Sequence, residues 1–338
     1  MPRIARTIQL AARPQGLPKT GDFRLAEVPL PDPGPGEVLL QMRWLSLDPY
    51  MRGRMNEDRS YAAPTALGEP LPCEGIARVL VSNDASLAAG DQVLIYDFWR
   101  DHAVRKAADC RKLDPSQGPV QTVLGVRGMP GLTAYTGLKH IGRPKAGETV
   151  VLGAATGAVG SVVGQIARLQ GARVVGVAGG AEKCRYAVEE LGFDVCLDRH
   201  AQGLDARLAE ACPTGIDVYF ELTGGDVLTA VLPLLNPFAR IPVCGTIAST
   251  NAAAPPTGPD RLPGFMRLIL TRHLVVQGFI VDDCSADTAE FEAAMARWLA
   301  EGAIRYREDI SHGLDSMVAA FIGMLEGRNF GKTLVRLD

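Results

Sequence analysis

The stretch TVVLGAATGAVGSVVGQIARLQG, residues 149–171, decides the fold. Its opening, TVVLGAA, is a β-branched apolar run of strand length. GAATGAVG (153–160) is a glycine turn, and residues 157–170 carry a helical pattern that Gly171 ends. Residues 149–167 run for 19 positions without a charge, long enough to cross a bilayer. Gly153, Gly157, Gly160 and Gly164 divide that run, and a strand, a turn and a buried helix account for it better than a membrane span. A strand, a glycine turn and a helix in that order form the context of a dinucleotide fingerprint. Glycines let backbone N–H groups approach a pyrophosphate, and the helix N-terminus adds partial positive charge. The strict G-x-G-x-x-G spacing is broken. With Gly157 and Gly160 as the last two glycines, Ala155 stands where the first should be.

The same texture continues toward the C-terminus. ARVVGVA (172–178) reads as a strand, 181–191 as a helix ended by Gly192, 194–197 as a short strand and about 202–211 as a helix. IDVYFEL (216–222), a helix near 226–235, ARIPVCG (239–245) and HLVVQGFIV (273–281) follow. Apolar runs separated by helix-length segments predict a parallel sheet with crossover helices. Residues 285–300 read as an amphipathic helix carrying Phe291, Met295, Trp298 and Leu299. The tail reads as a strand (304–309), a helix (314–326) and a last strand (332–337). AAAPPTGPDRLPG (252–264) is the most loop-like internal piece. Toward the N-terminus, EVLLQMRWLSL (37–47), GIARVLVS (75–82) and DQVLIYDFW (91–99) read as strands of an irregular β domain with no helix of any length before about residue 130 beyond a turn or so.

Composition narrows the function classes. The 338 residues suit about two domains. Lys+Arg 35 against Asp+Glu 38 leaves a formal charge of −3, so no electrostatic footprint for DNA or RNA is expected. Hydrophobic content of 47% rules out wholesale disorder. The cysteines (Cys73, Cys110, Cys184, Cys196, Cys212, Cys244 and Cys284) form no CxxC pattern, and the N-terminus has no apolar core of signal-peptide length. Reduced thiols in a cytoplasmic protein, with no membrane partner, are the expectation.

The end of the second strand bears on which nucleotide is bound. An NAD site normally places Asp or Glu there for the ribose 2′-hydroxyl. Here the strand ends Val177-Ala178-Gly179-Gly180, followed by Ala181, Glu182 and Lys183. An ammonium without a competing carboxylate suits a 2′-phosphate, hence NADP. On spacing alone, Lys183 reads equally well as an exposed residue of a first helical turn.

Taken together, LSLDPYMR (45–52), GMPGLTAYTGL (128–138), GAATGAVGSVVGQIARLQG (153–171), VVGVAGGAEKC (174–184), LGFDV (191–195), GIDVYFE (215–221), ARIPVCGTIASTN (239–251), QGFIV (277–281) and EGRNFGKTLV (326–335) resemble one family in order along nearly the whole chain. That family is the zinc-independent branch of the medium-chain dehydrogenase/reductase superfamily, which contains leukotriene dehydrogenase/prostaglandin reductase and the 2-alkenal (double-bond) reductases. The resemblance implies an α/β protein, with a GroES-like β domain (1–126 with 301–338) and a Rossmann doubly wound parallel sheet (127–300). It implies that Gly157, Ala158, Val159 and Gly160 hold the pyrophosphate of NADP and that Lys183 holds the 2′-phosphate. Cys244 through Thr250, including Gly245, and Phe279, Ile280 and Val281 would line the ribose and nicotinamide, and Asn329 would reach the cofactor from the tail. It implies a homodimer paired through the cofactor domains.

Three positions depart from the family pattern. Arg199 replaces a Tyr, and its guanidinium can pair with phosphate. Leu222 replaces an Asn in the turn after the fourth strand and cannot make the amide hydrogen bond. Thr250 replaces a Tyr proposed to orient substrate or donate a proton. Tyr50, in a loop that borders the family's substrate pocket, is therefore the side-chain candidate for the catalytic donor, with Thr250 a weaker one; packing is the alternative role for Tyr50.

Catalytic zinc is not expected. Cys73 and Glu74 sit where zinc-dependent relatives carry ligands, but Leu45 stands in place of their first Cys. The five histidines form no HxxxH or HExxH pair, there is no G-x-S-x-G elbow, and His102 reads as a surface or core residue. Trp44, Trp99 and Trp298 read as core or interface residues. The leading expectation is an NADPH-dependent reductase of the C=C bond of α,β-unsaturated ketones or aldehydes. Quinone reduction or alcohol oxidation with the same cofactor, and a non-catalytic NADPH-binding regulator, are the alternatives.

Overall fold

In chain order the computed structural model, which describes residues 3–58, 60–253 and 259–337, begins with β1 (Arg3–Leu10), β2 (Phe23–Leu30), β3 (Glu37–Ser46), α1 (Tyr50–Arg54), β4 (Pro72–Ser82), β5 (Gln92–Phe98), β6 (His102–Lys106) and β7 (Arg111–Lys112). Then come α2 (Met129–Thr136), β8 (Thr149–Leu152), α3 (Gly160–Leu169), β9 (Arg173–Ala178), α4 (Ala181–Glu189), β10 (Val195–Asp198), α5 (Leu204–Ala211), β11 (Ile216–Phe220) and α6 (Gly225–Val231). The chain finishes with β12 (Leu235–Val243), α7 (Leu262–Arg272), β13 (Val275–Gly278), α8 (Thr288–Ala300), β14 (Glu308–His312), α9 (Met317–Leu325) and β15 (Lys332–Arg336). It divides into two units, Met1–Leu124 with Glu308–Asp338, and Gly125–Arg307.

The first unit is a mixed seven-stranded sheet in the order β14-β15-β3-β4-β5-β7, with β6 also paired to β3, beside the antiparallel pair β1-β2. Alternation along β3 turns Leu40 and Met42 into its core, where Trp99 packs face to face on Phe23 (5.6 Å) and edge-on to Phe321 (5.3 Å). Trp99 is thus a core residue; Trp44 and Trp298 are half-buried.

The second unit is a six-stranded, all-parallel sheet in the order β10-β9-β8-β11-β12-β13. The apolar run of β8 is explained by its position. It is central and covered on both faces, so Val150, Val151 and Leu152 are all fully buried. The α/β class and the doubly wound parallel sheet expected from the sequence are both present. α8 buries Phe291 and Met295 as its pattern required. No described helix is long and apolar enough to cross a membrane.

Some local expectations change. Residues 301–307, read with the tail, lie in the second unit because Ile304 is buried in that unit's core and Arg305 hydrogen-bonds Gln165 through its N–H (2.7 Å). The strand expected at 304–309 accordingly starts at Glu308. The loop read over 252–264 gives way to α7 at Leu262, while its residues 254–258 lie outside the described residues. The strand read over 273–281 is only Val275–Gly278.

Candidate functional site

The order β10-β9-β8-β11-β12-β13 reverses direction between β8 and β11, and ligands of open α/β sheets sit in the crevice beyond the carboxyl ends at such a point. The glycine turn lies there. A Cβ at Gly153 would fall 2.4 Å from Thr223 Oγ1, which puts this turn directly beside the one after β11. A Cβ at Gly160 would lie 2.3 Å from the Ala154 carbonyl, and one at Gly164 would lie 2.0 Å from the Phe193 ring. Gly160 therefore closes the turn, and Gly164 seats α3 on the core. Ala155, in the place of the first glycine, is fully buried and donates its N–H to Val177 (3.1 Å), so that position packs rather than binds. Ala154 itself takes φ +48, a left-handed conformation that alanine adopts only under constraint.

The turn leaves donors over. Gly157 N–H is taken by the Ala154 carbonyl (2.8 Å), Ser161 N–H by Gly157 (3.0 Å) and Val162 N–H by Val159 (3.0 Å). Among the described residues nothing accepts from the N–H groups of Ala158, Val159 or Gly160. These orphan donors at the head of α3 fit an anionic diphosphate. Gly157 contributes its lack of a side chain rather than its N–H.

At the end of β9 the charge is cationic. A Cβ at Gly179 would lie 3.2 Å from both Arg199 Nε and His200 Nε2, so guanidinium and imidazole flank this glycine. Lys183 stands half-buried in the first turn of α4. Asp198, at the end of β10, turns its Oδ1 to the backbone N–H groups of Gly180 and His200 (2.9 Å each), and these bonds hold its carboxyl below the ordinary value; Glu182 is exposed in the first turn of α4. His200 is a site residue the sequence reading missed. Its position right after Arg199 was the available signal.

Glu221, at the end of β11, is 3% exposed. Its Oε1 accepts from Thr223 N–H (2.7 Å), Gly224 N–H (2.7 Å) and Tyr219 Oη (3.0 Å), while burial pushes the carboxyl above its ordinary value. Its backbone carbonyl accepts from Cys244 (3.0 Å) and Gly245 (3.1 Å), fixing the turn after β12 beside the turn after β11. Burial pushes the Cys244 thiol up to about 12, so it is a neutral wall. Phe279 donates its N–H to Val243 (3.3 Å) and packs edge-on to Phe220; Phe279, Ile280 and Val281 are half-buried. Leu222 is half-buried among apolar neighbours. Thr250 Oγ1 donates to the Thr246 carbonyl (3.4 Å), and Asn251 Oδ1 is buried with no hydrogen-bond partner among the described residues.

In the first unit Tyr50 opens α1, and Arg52 anchors that helix by donating to Asn56 Oδ1 (2.5 Å) and the Gly16 carbonyl (2.9 Å). The Arg54 guanidinium lies over the rings of Tyr50 (5.8 Å) and Tyr61 (5.4 Å). Burial, reinforced by Asp48, pushes the Tyr50 phenol far above its ordinary value, so it stays protonated and can donate. Beside it, Lys332 Nζ donates to Asp48 Oδ1 and the Leu47 carbonyl (2.9 Å), and Ser46 Oγ donates to Asp48 Oδ2. This buried group was not foreseen, although Asp48 lies inside the quoted LSLDPYMR. Asn329 is half-buried and donates to the Gly331 carbonyl (2.9 Å).

Zinc does not fit. Cys73 is fully buried, its thiol is held well above the ordinary value by that burial, and Leu45 occupies the position of a first ligand. No group of three or more His, Cys, Asp or Glu among the described residues could hold a metal ion.

Fold and crevice define a two-unit dehydrogenase/reductase with a Rossmann sheet. The chain belongs to the zinc-independent branch of the medium-chain dehydrogenase/reductase superfamily, with leukotriene dehydrogenase/prostaglandin reductase and the 2-alkenal reductases. Residues 6–113 match the family described as the N-terminal domain of oxidoreductase, and residues 158–301 match the one described as zinc-binding dehydrogenase. Over 330 residues the chain is 52% identical to the NADPH-dependent curcumin reductase of Escherichia coli strain K12, covering 97% of this chain and 95% of that protein. It is 39% identical over 338 residues to rat (Rattus norvegicus) prostaglandin reductase 1, covering 98% and 99%. The crystal structure of CurA from Vibrio vulnificus in complex with NADPH superposes with a TM-score of 0.94 at 48% identity, covering 98% and 99% of the two chains.

Proposed function

We propose that this chain is an NADPH-dependent reductase of the C=C bond of α,β-unsaturated ketones and aldehydes. The observation that supports the cofactor assignment is the end of β9, where Arg199 and His200 flank Gly179, Lys183 stands in the first turn of α4 that follows, and Asp198 is spent on backbone N–H groups. The reductions named for the relatives, of curcumin and of prostaglandins, support the substrate class. The bound nicotinamide supplies the hydride, delivered to the β-carbon of the enone.

The chain's own residues then bind and orient. Ala158, Val159 and Gly160 hold the pyrophosphate through their free N–H groups, and Gly157 leaves room for it. Lys183 and Arg199 take the 2′-phosphate. Cys244, Gly245, Phe279, Ile280, Val281 and Asn329 are assigned to the ribose and nicotinamide. Tyr50, protonated at any working pH, donates to the enolate oxygen as its charge develops. Thr250 is the weaker candidate because its hydroxyl is turned to Thr246.

The protein acts as a homodimer in a compartment that keeps its free cysteines reduced. The apolar, exposed edge strand β13 (Val275 48%, Val276 37%) and the exposed Met266 (56%) and Leu270 (74%) of α7 support self-pairing. Light scattering of a monomer would remove that part.

The test is NADPH oxidation with a simple enone followed by product identification. A saturated ketone is expected, and an allylic alcohol would defeat the assignment. Tyr50→Phe should lose roughly 10²–10³ in rate if its phenol faces the oxyanion. Lys183→Ala should weaken NADPH by about 1.5–3 kcal/mol and leave NADH unchanged; equal wild-type affinities for the two cofactors would refute the 2′-phosphate site.

A further inference from the structure

Arg54 is the last residue of α1, the helix that Tyr50 opens, and its guanidinium lies over two phenol rings, Tyr50 at 5.8 Å and Tyr61 at 5.4 Å. Its donors are mostly unused. Nη1 donates to the Ala63 carbonyl (3.2 Å), Nε is buried with no partner, and Nη2 takes none among the described residues. Its charge is unpaired as well. Elsewhere in this unit Arg100 and Arg105 both reach Asp97. Of the acids that flank α1 in sequence, Asp48 is held by Lys332, Glu57 faces Arg13 (3.4 Å) and Asp58 is exposed. Arg54, half-buried, forms an ion pair with none of the described carboxylates, so ring faces alone balance its charge. We propose that Arg54 is a specificity-determining residue: it makes an anion subsite beside Tyr50 that takes a carboxylate carried by the substrate, so that this chain prefers short oxo-acids to neutral ketones.

The chemistry of the donor set selects the ligand. A guanidinium with Nη2 free and one N–H of Nη1 in use can still meet a carboxylate through two parallel N–H···O bonds, which a lysine in its place would not supply. Rings on the guanidinium keep its plane fixed and hold water off it, so a charge-assisted pair there is worth more than one on an open surface. Tyr61 is 61% exposed, so the recess that it helps to form borders solvent and is open to a ligand on that side. The guanidinium sits over the ring whose hydroxyl is assigned to the substrate carbonyl. A ligand that reaches both must therefore carry its carboxylate a few bonds from its carbonyl. The choice of an enone rests on the reading given above; the anion subsite does not.

The test compares one enone in two forms, β-benzoylacrylic acid and its methyl ester, and uses the saturated β-benzoylpropionic acid as a binding probe with no C=C bond to reduce. kcat and KM for acid and ester are measured with NADPH in wild type, Arg54→Lys and Arg54→Leu. The saturated acid is titrated by calorimetry into each full-length protein loaded with NADP. The acid-to-ester ratio of kcat/KM should fall about tenfold in Arg54→Leu, through a higher KM for the acid, as expected for the loss of one charged hydrogen bond. Arg54→Lys, which keeps the charge without the fork, should fall between the two. The saturated acid should bind wild type about tenfold more tightly than Arg54→Leu, and less tightly as salt rises. Unfolding curves identify a variant that has not folded, and Arg54→Lys, with a cation still over the rings, then decides alone. An acid-to-ester ratio equal to that of wild type in every folded variant, or a saturated acid that binds them all alike, overturns the proposal. Binding of the saturated acid that depends on Arg54, with neither enone reduced, supports the anion subsite and refutes the enone reading instead.

Discussion

In the first unit the sheet that carries the segment into Tyr50 holds full charges taken out of water. Lys332 and Asp48 are 4% exposed each, and Asp97, 1% exposed, receives both Arg100 and Arg105. In the second unit the cofactor turn is built almost wholly from backbone: three orphan N–H groups, glycines too close to neighbours for any side chain, and a strand buried on both faces. One unit fixes the chain just before Tyr50, the residue proposed above as proton donor, with buried charges, at a desolvation cost that only good pairing offsets. The other positions an anion site by steric exclusion and helix geometry, with no net charge at the turn. The two arrangements should therefore fail in different ways.

The largest effect is expected where a buried charge is left alone. Lys332→Met strands Asp48 in the core and should cost about 3–5 kcal/mol in thermal or urea unfolding. Adding Asp48→Leu removes the orphaned charge and should recover much of that loss. A double variant no more stable than the single would show that the pair is not electrostatically coupled, and the contrast between the units would weaken.

A smaller loss tests the steric half. Gly160→Ala places its Cβ 2.3 Å from a backbone oxygen, which no rotamer relieves, so overpacking should cost about 1–3 kcal/mol and NADPH binding should weaken with it. Gly264→Ala in α7 has nothing within 4 Å of the new atom and should instead stabilise by roughly 1 kcal/mol through helix propensity. Equal outcomes for the two would mean that turn tightness is not what sets the site.

What the sequence made legible follows the same division. The second unit's sheet was readable because parallel strands covered on both faces must be continuously apolar, as in TVVL and RVVGVA, with glycine where α3 meets Phe193. α7 was not, since Leu262, Met266 and Leu270 are apolar yet face outward and mask the stripe, Leu268 and Ile269, that packs on the core. The Lys332–Asp48 pair joins residues far apart in sequence through the pairing of β15 with β3, and no local pattern announces such a contact. Lys183 was open on spacing alone because one first-turn lysine looks like any other. The guanidinium and imidazole at Gly179, where β9 ends beside Arg199 and His200, are brought there by the folded sheet.

The smallest expected effect separates a carboxyl raised by burial from one lowered by its basic partners, by the sign of their pH dependence. Glu221 has its carboxyl raised above the ordinary 4.5 by burial, so the folded state favours its proton. That stabilisation is fully present below about pH 4.5 and is lost as pH rises through the folded value. Asp287 is the opposite case. Hydrogen bonds from Lys139 and His140 hold it below the ordinary 3.8, so its contribution is present above that pH and is lost as pH falls through the folded value. Glu221→Gln keeps the Oε1 acceptor for Thr223 and Gly224 and removes the titration. Its stability relative to wild type should therefore rise between pH 4 and pH 7. Asp287→Asn should instead fall further behind wild type across the lower part of that range. Unfolding curves for the three proteins at matched ionic strength decide it: a Glu221→Gln difference that falls as pH rises would mean the backbone N–H groups, not burial, set that carboxyl, and Glu221 would then behave like Asp287.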